Sequence, residues 1–179
     1  MIPGADGFVG KALCAELFRR GHSVSAAVRS GNSLIENIET IVVGAINSGT
    51  NWAEALRDVD VVIHLAARVH VMRESATDPL AEFLQVNLHG TSNLARQAAC
   101  FGVKRLVFVS SIKVNGEQTN ATQPFTELDE PSPQDVYSIS KWQAEQALWR
   151  IAQATGLEIV VVRPPLAYGS GAKGNFAQM

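Results

Sequence analysis

The sequence predicts an α/β fold with a doubly wound parallel sheet, and three observations support this prediction. Short apolar segments alternate with segments of helical periodicity along the chain. A glycine-rich turn lies between the first apolar segment and the first helical pattern. The segment 61–67 is apolar without alternation except at His64, which is typical of a strand that is covered on both faces. We expect His64 to be a core histidine.

The composition indicates one globular domain. The chain has 179 residues, of which 46% are hydrophobic, and a formal net charge of −2. It has no basic cluster typical of a nucleic-acid-binding surface, no apolar stretch near the ~18 residues of a membrane span, and no recognisable signal peptide. Cys14, Cys100 and the histidines lack metal-ligand spacing. These features predict a cytoplasmic protein with two buried, reduced thiols that binds no nucleic acid, membrane or metal.

The glycine-rich turn is a candidate dinucleotide site. Residues 4–10 read G-x-x-G-x-x-G, and apolar residues at helical spacing follow as far as Gly21. Glycines let a backbone approach a pyrophosphate closely, and the N–H groups of a helix start attract its charge. We therefore expect Gly4, Gly7 and Gly10 to bind a dinucleotide, with a glycine turn of no function as the alternative. Because a central strand needs about five residues, the three residues before Gly4 predict an incomplete first strand.

The other elements follow from periodicity and turn residues. Further strands are predicted at residues 22–28, 40–46, 60–66, 105–111 and 158–164. Helices are predicted at 79–101 and around Tyr137, and the polar segment 115–135 is predicted to be a loop that covers a site. Asn87 is unfavourable for helix propensity, which indicates a specific role for its side chain.

The end of the second predicted strand bears on cofactor choice. A dinucleotide-binding fold usually presents an acidic residue to the adenosine ribose there, but this chain has Val28, Arg29 and Ser30. An arginine suits a 2′-phosphate, so Arg29 favours NADP over NAD. A solvated arginine at a strand end is the alternative.

Tyr137 and Lys141 form the central candidate for catalysis. They are four residues apart, so their side chains would share one face of a helix. A tyrosine hydroxyl titrates near ~10 in water and needs a nearby positive charge to act as a base at neutral pH. Lys141 would supply that charge, whereas a solvated surface pair is the alternative. Ser111 ends a predicted strand at the carboxyl edge of the sheet, where ligands bind, and is a candidate partner of Tyr137.

Taken together, these motifs resemble the extended short-chain dehydrogenase/reductase family over nearly the whole chain. Within that family, the segments 110–116 (SSIKVNG) and 163–169 (RPPLAYG) are similar to UDP-glucose (UDP-galactose) 4-epimerases and related nucleotide-sugar enzymes of bacterial surface polysaccharide synthesis. The resemblance implies a Rossmann-type domain over residues 1–179 that is truncated at both ends, with the carboxyl-terminal substrate domain largely absent. It also implies a nucleotide-diphosphate sugar as substrate.

The resemblance assigns roles to individual residues. The implied cofactor contacts are Gly4, Gly7, Phe8, Val9, Gly10, Leu65, Ala66, Ala67, Asn87, Tyr137, Lys141 and Pro164. The implied catalytic residues are Ser111, Tyr137 and Lys141, and the implied substrate contacts are Ser111, Lys113, Asn175 and Phe176. The sequence departs from the family pattern at Pro3, Ala45 and Leu166, which leaves adenine and sugar recognition open.

Three functional hypotheses follow. In a 4-epimerase, Tyr137 would remove the proton of the sugar 4-hydroxyl while C4 is oxidised, giving a transient 4-keto sugar that is reduced on its other face. An NADPH-dependent reductase of a 4-keto nucleotide sugar would use the same residues once, and Arg29 favours it. A non-catalytic dinucleotide sensor would have no need of Ser111, Tyr137 and Lys141.

The helix that begins near Tyr137 also predicts an assembly. Trp142 and Trp149 are seven residues apart and fall on one helical face, with Ile139 and Leu148 nearby in the pattern. Burial of this face in the core is one interpretation. The resemblance favours another, because members of the family dimerise through this helix and the one that contains Asn87. We therefore expect a homodimer.

Overall fold

The computed structural model describes residues 1–31, 37–69, 77–119 and 122–169. The strands are β1 (Ile2–Pro3), β2 (Ser25–Val28), β3 (Glu39–Val42), β4 (Val61–His64), β5 (Arg105–Val109) and β6 (Glu158–Val162). The helices are α1 (Phe8–Arg19), α2 (Pro79–Leu84), α3 (Thr91–Cys100) and α4 (Val136–Thr155). A π-helical turn, Gln85–Gly90, joins α2 to α3, and a 3₁₀ turn, Ile112–Val114, follows β5.

The strands confirm the predicted parallel sheet. They form two three-stranded parallel sheets, in the orders β1-β2-β3 and β4-β5-β6. Backbone hydrogen bonds from Ile63 N to Met1 O and from Leu65 N to Pro3 O, both 3.0 Å long, join β1 to β4. The combined order is therefore β3-β2-β1-β4-β5-β6. Ligands of such sheets bind at the carboxyl ends of the strands, beside the point where the order reverses.

The core lies on both faces of this sheet. One cluster includes Trp52, Leu94, Phe108 and Leu148, and a second, smaller cluster lies between α1 and the β1–β2 pair. His64 is 1% exposed, and its Nε2 lies 2.9 Å from Thr91 Oγ1 on α3. The prediction of a core histidine is therefore confirmed.

The two cysteines differ in exposure. Cys14 is buried as expected, and burial raises the pKa of its thiol. Cys100 is exposed, so the prediction of two buried thiols is wrong for this residue. Cys100 follows the exposed Arg96 by four residues at the end of α3, and it therefore shares the outer face of that helix.

The face of α4 that carries the two tryptophans is only partly exposed. Trp149 is 45% exposed, whereas Leu148 lies in the core, so Leu148 does not belong to a surface that another protomer could cover. The Trp142 ring lies 5.7 Å from the guanidinium carbon of Arg163. The homodimer stays a prediction. Among the described residues, every helix is too short or too polar to span a lipid bilayer.

Candidate active site

The glycine-rich turn follows β1 directly and contacts the end of β4. Gly4 has φ +83°, and its N–H donates to Ala27 O on β2 at 3.1 Å. A Cβ at Gly4 would lie 2.6 Å from Ala66 N, which is closer than any side chain allows. The glycine at this position is therefore required by conformation and by contact with the residue that follows Leu65.

The second half of the turn starts α1. Gly7 N donates to Gly4 O at 3.0 Å, and Gly7 is the residue that caps α1 at its amino end. A Cβ at Gly10 would lie 2.7 Å from Ala5 Cα, so only glycine lets the first turn of the helix pack on the loop. Phe8 and Val9 are 39% and 44% exposed. The amino end of α1 therefore adjoins a glycine backbone without side chains, which is the arrangement that a bound pyrophosphate requires.

A cleft of about 570 Å³ extends from this turn along the carboxyl ends of the sheet strands. Nine of the predicted cofactor contacts line it, which are Gly4, Gly7, Phe8, Val9, Gly10, Arg29, Leu65, Ala66 and Ala67. Its far wall includes Val86, next to Asn87, and Val109 at the end of β5. The crowded glycine cradle at one end and the apolar walls fit a dinucleotide that lies across the switch point of the sheet.

Arg29 lies at the edge of this cleft. It directly follows β2 and its side chain is exposed. None of the hydrogen bonds or ion pairs within the described ranges uses its guanidinium. The side chain is therefore placed where it can meet a ligand, and its predicted preference for a 2′-phosphate stays a prediction.

Asn87 lies in the π-helical turn and is 1% exposed. Its Oδ1 accepts a hydrogen bond from Arg68 N at 2.8 Å, and its Nδ2 donates to Arg68 O at 3.0 Å and to Ser140 Oγ at 2.9 Å. The amide therefore joins the segment after β4, which lines the cleft, to α4. π-Helical turns occur frequently at functional sites, and this one explains the asparagine that the sequence pattern identified as unfavourable.

Tyr137 lies in the first turn of α4. Asp135 caps the helix, since its Oδ1 accepts from Ser138 N at 2.6 Å while Ser138 Oγ accepts from Asp135 N at 3.1 Å. The Tyr137 ring makes an edge contact with Phe83 on α2, with 6.3 Å between ring centroids. The helix start and the ring are thus both held, which fixes the direction of the phenol.

The electrostatics of Tyr137 differ from expectation. Burial raises the pKa of its phenol, the Asp135 carboxylate adds to the increase, and the Lys113 ammonium opposes it. The lowering that was expected from Lys141 does not occur in the protein alone. The Lys141 ammonium instead lies 4.0 Å from the centroid of the Phe108 ring on β5.

Lys141 is 1% exposed, which is unusual for a lysine. Burial lowers the pKa of its ammonium to about 7, and the negative charge of Glu145 opposes this decrease. The charge of Lys141 is therefore easily changed by its neighbours near neutral pH. Burial and then the charge of Lys141 lower the pKa of His64 to about 3, so the histidine beside it is neutral.

Ser111 and Pro164 lie side by side where β5 and β6 end. Ile112 N donates to Pro164 O at 3.0 Å, and Ser111 Oγ accepts from Lys113 N at 3.3 Å. The Lys113 ammonium pairs with Asp135 Oδ2 at 2.7 Å and with Glu117 Oε1 at 3.2 Å. Its role as a substrate contact stays a prediction, as do the roles of Asn175 and Phe176, which lie outside the described residues.

Sequence reasoning missed a buried network around Glu145. Its carboxylate accepts from Ser110 Oγ and from Arg163 Nε (3.1 Å) and Nη2 (2.6 Å). The signal was present in the sequence, because Glu145 follows Lys141 by four residues and shares its helical face.

The whole chain, residues 1–179, matches the NAD dependent epimerase/dehydratase family. The chain belongs to this family. The match confirms the resemblance that the sequence motifs predicted. The chain is 41% identical over 180 residues to UDP-glucose 4-epimerase of Vibrio cholerae, with 100% of this chain and 55% of that protein covered. It spans about half the length of the curated relatives it matches.

Solved structures agree with the assignment of this chain to the NAD dependent epimerase/dehydratase family. MoeE5 in complex with UDP-glucuronic acid and NAD has a TM-score of 0.75 and 30% identity, covering 89% of this chain and 51% of that one. The UDP-glucose 4-epimerase of Thermus thermophilus in complex with NAD has a TM-score of 0.76 and 26% identity, covering 90% of this chain and 53% of that one. Both support the doubly wound sheet described above.

Proposed function

We propose that this chain is the dinucleotide-binding part of an NAD(P)-dependent nucleotide-sugar 4-epimerase. The observation that carries the proposal is the link through Asn87, which holds the helix bearing Tyr137 and Lys141 to the wall of the cleft. A base on this helix would lie beside a dinucleotide bound there. The 41% identity to a UDP-glucose 4-epimerase supports UDP-glucose as the first substrate to test.

The cleft would hold the cofactor through its backbone. Gly4, Gly7 and Gly10 would bind the pyrophosphate against the start of α1, where N–H groups and the helix dipole favour negative charge. The segment 65–67 would form one wall, and Pro164 would border the nicotinamide. A bound nicotinamide dinucleotide would supply a reversible acceptor for hydride.

Tyr137 would exchange the proton of the sugar 4-hydroxyl. Because burial raises the pKa of its phenol, the base form must be stabilised by positive charge when the ligands are bound. Lys141, at the next turn of α4, would supply part of that charge. Ser111 would donate to the sugar oxygen on which charge develops, since its Oγ already accepts from Lys113 N and its hydroxyl proton remains available.

The test uses the purified complete protein, UDP-glucose and no added cofactor. An epimerase recycles its cofactor within each turnover, so UDP-galactose should accumulate without net change in nicotinamide absorbance. Product is identified by NMR, and Tyr137→Phe serves as the inactive control. Absence of UDP-galactose together with stoichiometric NADPH oxidation on a 4-keto nucleotide sugar would overturn the epimerase in favour of a reductase.

The reductase is a second candidate because Arg29 is exposed at the cleft edge. A guanidinium can pair bidentately with a 2′-phosphate, so NADP should bind more tightly than NAD and Arg29→Ala should remove the difference. Titration of both cofactors into wild type and variant checks this. Equal or tighter binding of NAD, unchanged in Arg29→Ala, would show that Arg29 does not select the cofactor and would weaken the reductase.

A further inference from the structure

Glu145 is 1% exposed and is the only carboxylate of the described residues that is this deeply buried. Its two oxygens accept hydrogen bonds from Ser110 Oγ and from Nε and Nη2 of Arg163. An ionised carboxylate persists in such a place only when it is paired and hydrogen-bonded, as Glu145 is. The pair with Arg163 therefore allows the charged carboxylate to remain buried, and its position also brings it close to the candidate site.

The partners of Glu145 adjoin the residues proposed to act in the reaction. Ser110 precedes Ser111 at the end of β5, and Arg163 precedes Pro164 at the end of β6. The Nη1 of Arg163 also donates to Asn115 Oδ1 at 3.0 Å, which fixes the turn after β5. One carboxylate on α4 is thus hydrogen-bonded to the residues that follow β5 and β6 at the candidate site.

Glu145 also lies one helical turn after Lys141, whose ammonium is buried against the Phe108 ring. The titratable groups that face the Lys141 ammonium are the neutral His64 on β4 and Glu145 on α4 itself, while Arg163, which follows β6, lies beyond Glu145. Glu145 therefore supplies the negative charge that opposes the loss of the Lys141 proton caused by burial.

We propose that Glu145 is a positioning residue, which holds Lys141 in its charged form and aligns the ends of β5 and β6, while Arg163 limits how much of its negative charge Lys141 senses. The inference rests on the proposed function, because the charge of Lys141 matters for catalysis only if Tyr137 is the base. Tyr137 itself is faced by Asp135 and Lys113. An effect of Glu145 on the phenol would therefore pass through Lys141 once the ligands are bound.

The proposal gives opposite signs for two substitutions. Glu145→Gln keeps the shape and one of the two acceptor oxygens but leaves the partly buried Arg163 and the buried Lys141 without a carboxylate, so Lys141 should lose its proton at lower pH. Arg163→Met leaves Glu145 to act on Lys141 alone, so Lys141 should keep its proton to higher pH. Substitutions that only destabilise the fold would not move the Lys141 midpoint in opposite directions.

The titration of Lys141 is followed by NMR of lysine labelled with ¹³C at Cε, with the signal assigned by its loss in Lys141→Met. The midpoint should fall by about one pH unit or more in Glu145→Gln and rise in Arg163→Met. The matched control is Glu158→Gln, which removes the exposed pair with Arg105 on the same sheet and should leave the midpoint unchanged. The pH profile of kcat/KM should show its basic limb moving in the same directions.

Breaking a buried pair can destabilise the fold, so the double variant Glu145→Gln/Arg163→Met is measured as well. Its Lys141 midpoint should lie below that of Arg163→Met. A midpoint that moves in the same direction in both single variants, or that stays within about 0.3 units of wild type when Glu145 is replaced, would overturn the proposal. If the midpoints move as expected but UDP-glucose is not epimerised, the proposed function fails and the role of Glu145 stands.

Discussion

Tyr137 is the residue on which the proposed reaction depends most directly. Tyr137→Phe removes the proton acceptor and little else, because the ring contact with Phe83 remains. We expect turnover to fall by about 10²–10⁴-fold while NAD binding stays close to wild type. Lys141→Met should reduce both, since this side chain is part of the buried structure. Single-turnover rates and NAD titrations measure the two effects. A Tyr137→Phe enzyme that keeps more than about a hundredth of the wild-type rate would mean that another group is the base.

Alanine substitutions at Gly4 and Gly21 distinguish the cost of a strained backbone conformation from the cost of a steric clash. Both have φ near +80°, at +83° and +81°, but a Cβ at Gly4 would meet Ala66 N at 2.6 Å whereas nothing lies within 4 Å of one at Gly21. Gly21→Ala should therefore cost only the left-handed conformation, about 1–2 kcal/mol, and leave NAD affinity unchanged. Gly4→Ala should destabilise the fold more and weaken NAD binding at least tenfold. Urea unfolding and NAD titration of both variants check this, and equal effects in the two variants would contradict the proposed cradle.

At the scale of elements, His64 links β4 to α3 and makes the stability of that contact depend on pH. Its folded pKa of about 3 lies below the ordinary 6.5, because burial disfavours the charged ring. As the pH falls below 6.5, the unfolded chain takes up a proton that the folded chain does not. The free energy of unfolding should then fall by up to about 1.4 kcal/mol per pH unit from this group.

The measurement is urea unfolding of wild type and His64→Gln between pH 5 and 7.5. The glutamine can keep a hydrogen bond to Thr91 but does not titrate, so its curve should be flatter below pH 6.5. His22→Gln, at an exposed histidine, is the control and should follow wild type. Identical slopes for wild type and His64→Gln would show that the histidine is accessible to protons in the folded state.

The elements differ in how far the sequence could predict them. The doubly wound parallel sheet could be predicted from local signals, which are the alternation of apolar segments with helical patterns and the glycine turn. Strand ends were placed too far along the chain because apolar residues continue past the last paired residue, as at 65–67, where they line the cleft. The sequence identified Asn87 as anomalous but not its partners, because Arg68 and Ser140 lie 19 and 53 residues away. No sequence signal distinguishes a π-helical turn from the helix around it.

The whole molecule is predicted to be a homodimer that uses the exposed part of α4. Trp149 is 45% exposed, and a large aromatic residue at that exposure is typical of an interface. Trp149→Glu should convert the dimer to a monomer in sedimentation velocity at micromolar concentration. Val42→Glu on β3, at a residue that is 55% exposed, is the matched control and should leave the dimer intact. A wild-type protein that sediments as a monomer would refute the interface.

The central position of β1 has a consequence for synthesis on the ribosome. β1 pairs with β2 soon after both have emerged, but its hydrogen bonds to β4 need residues 61–66, which at about 5–20 residues per second follow β1 by roughly 3–13 s. During that interval the nascent chain exposes the carbonyls of Met1 and Pro3 as an open strand edge, of the kind that pairs with other chains. Translation speed between β2 and β4 therefore sets how long the middle of the sheet is open to aggregation.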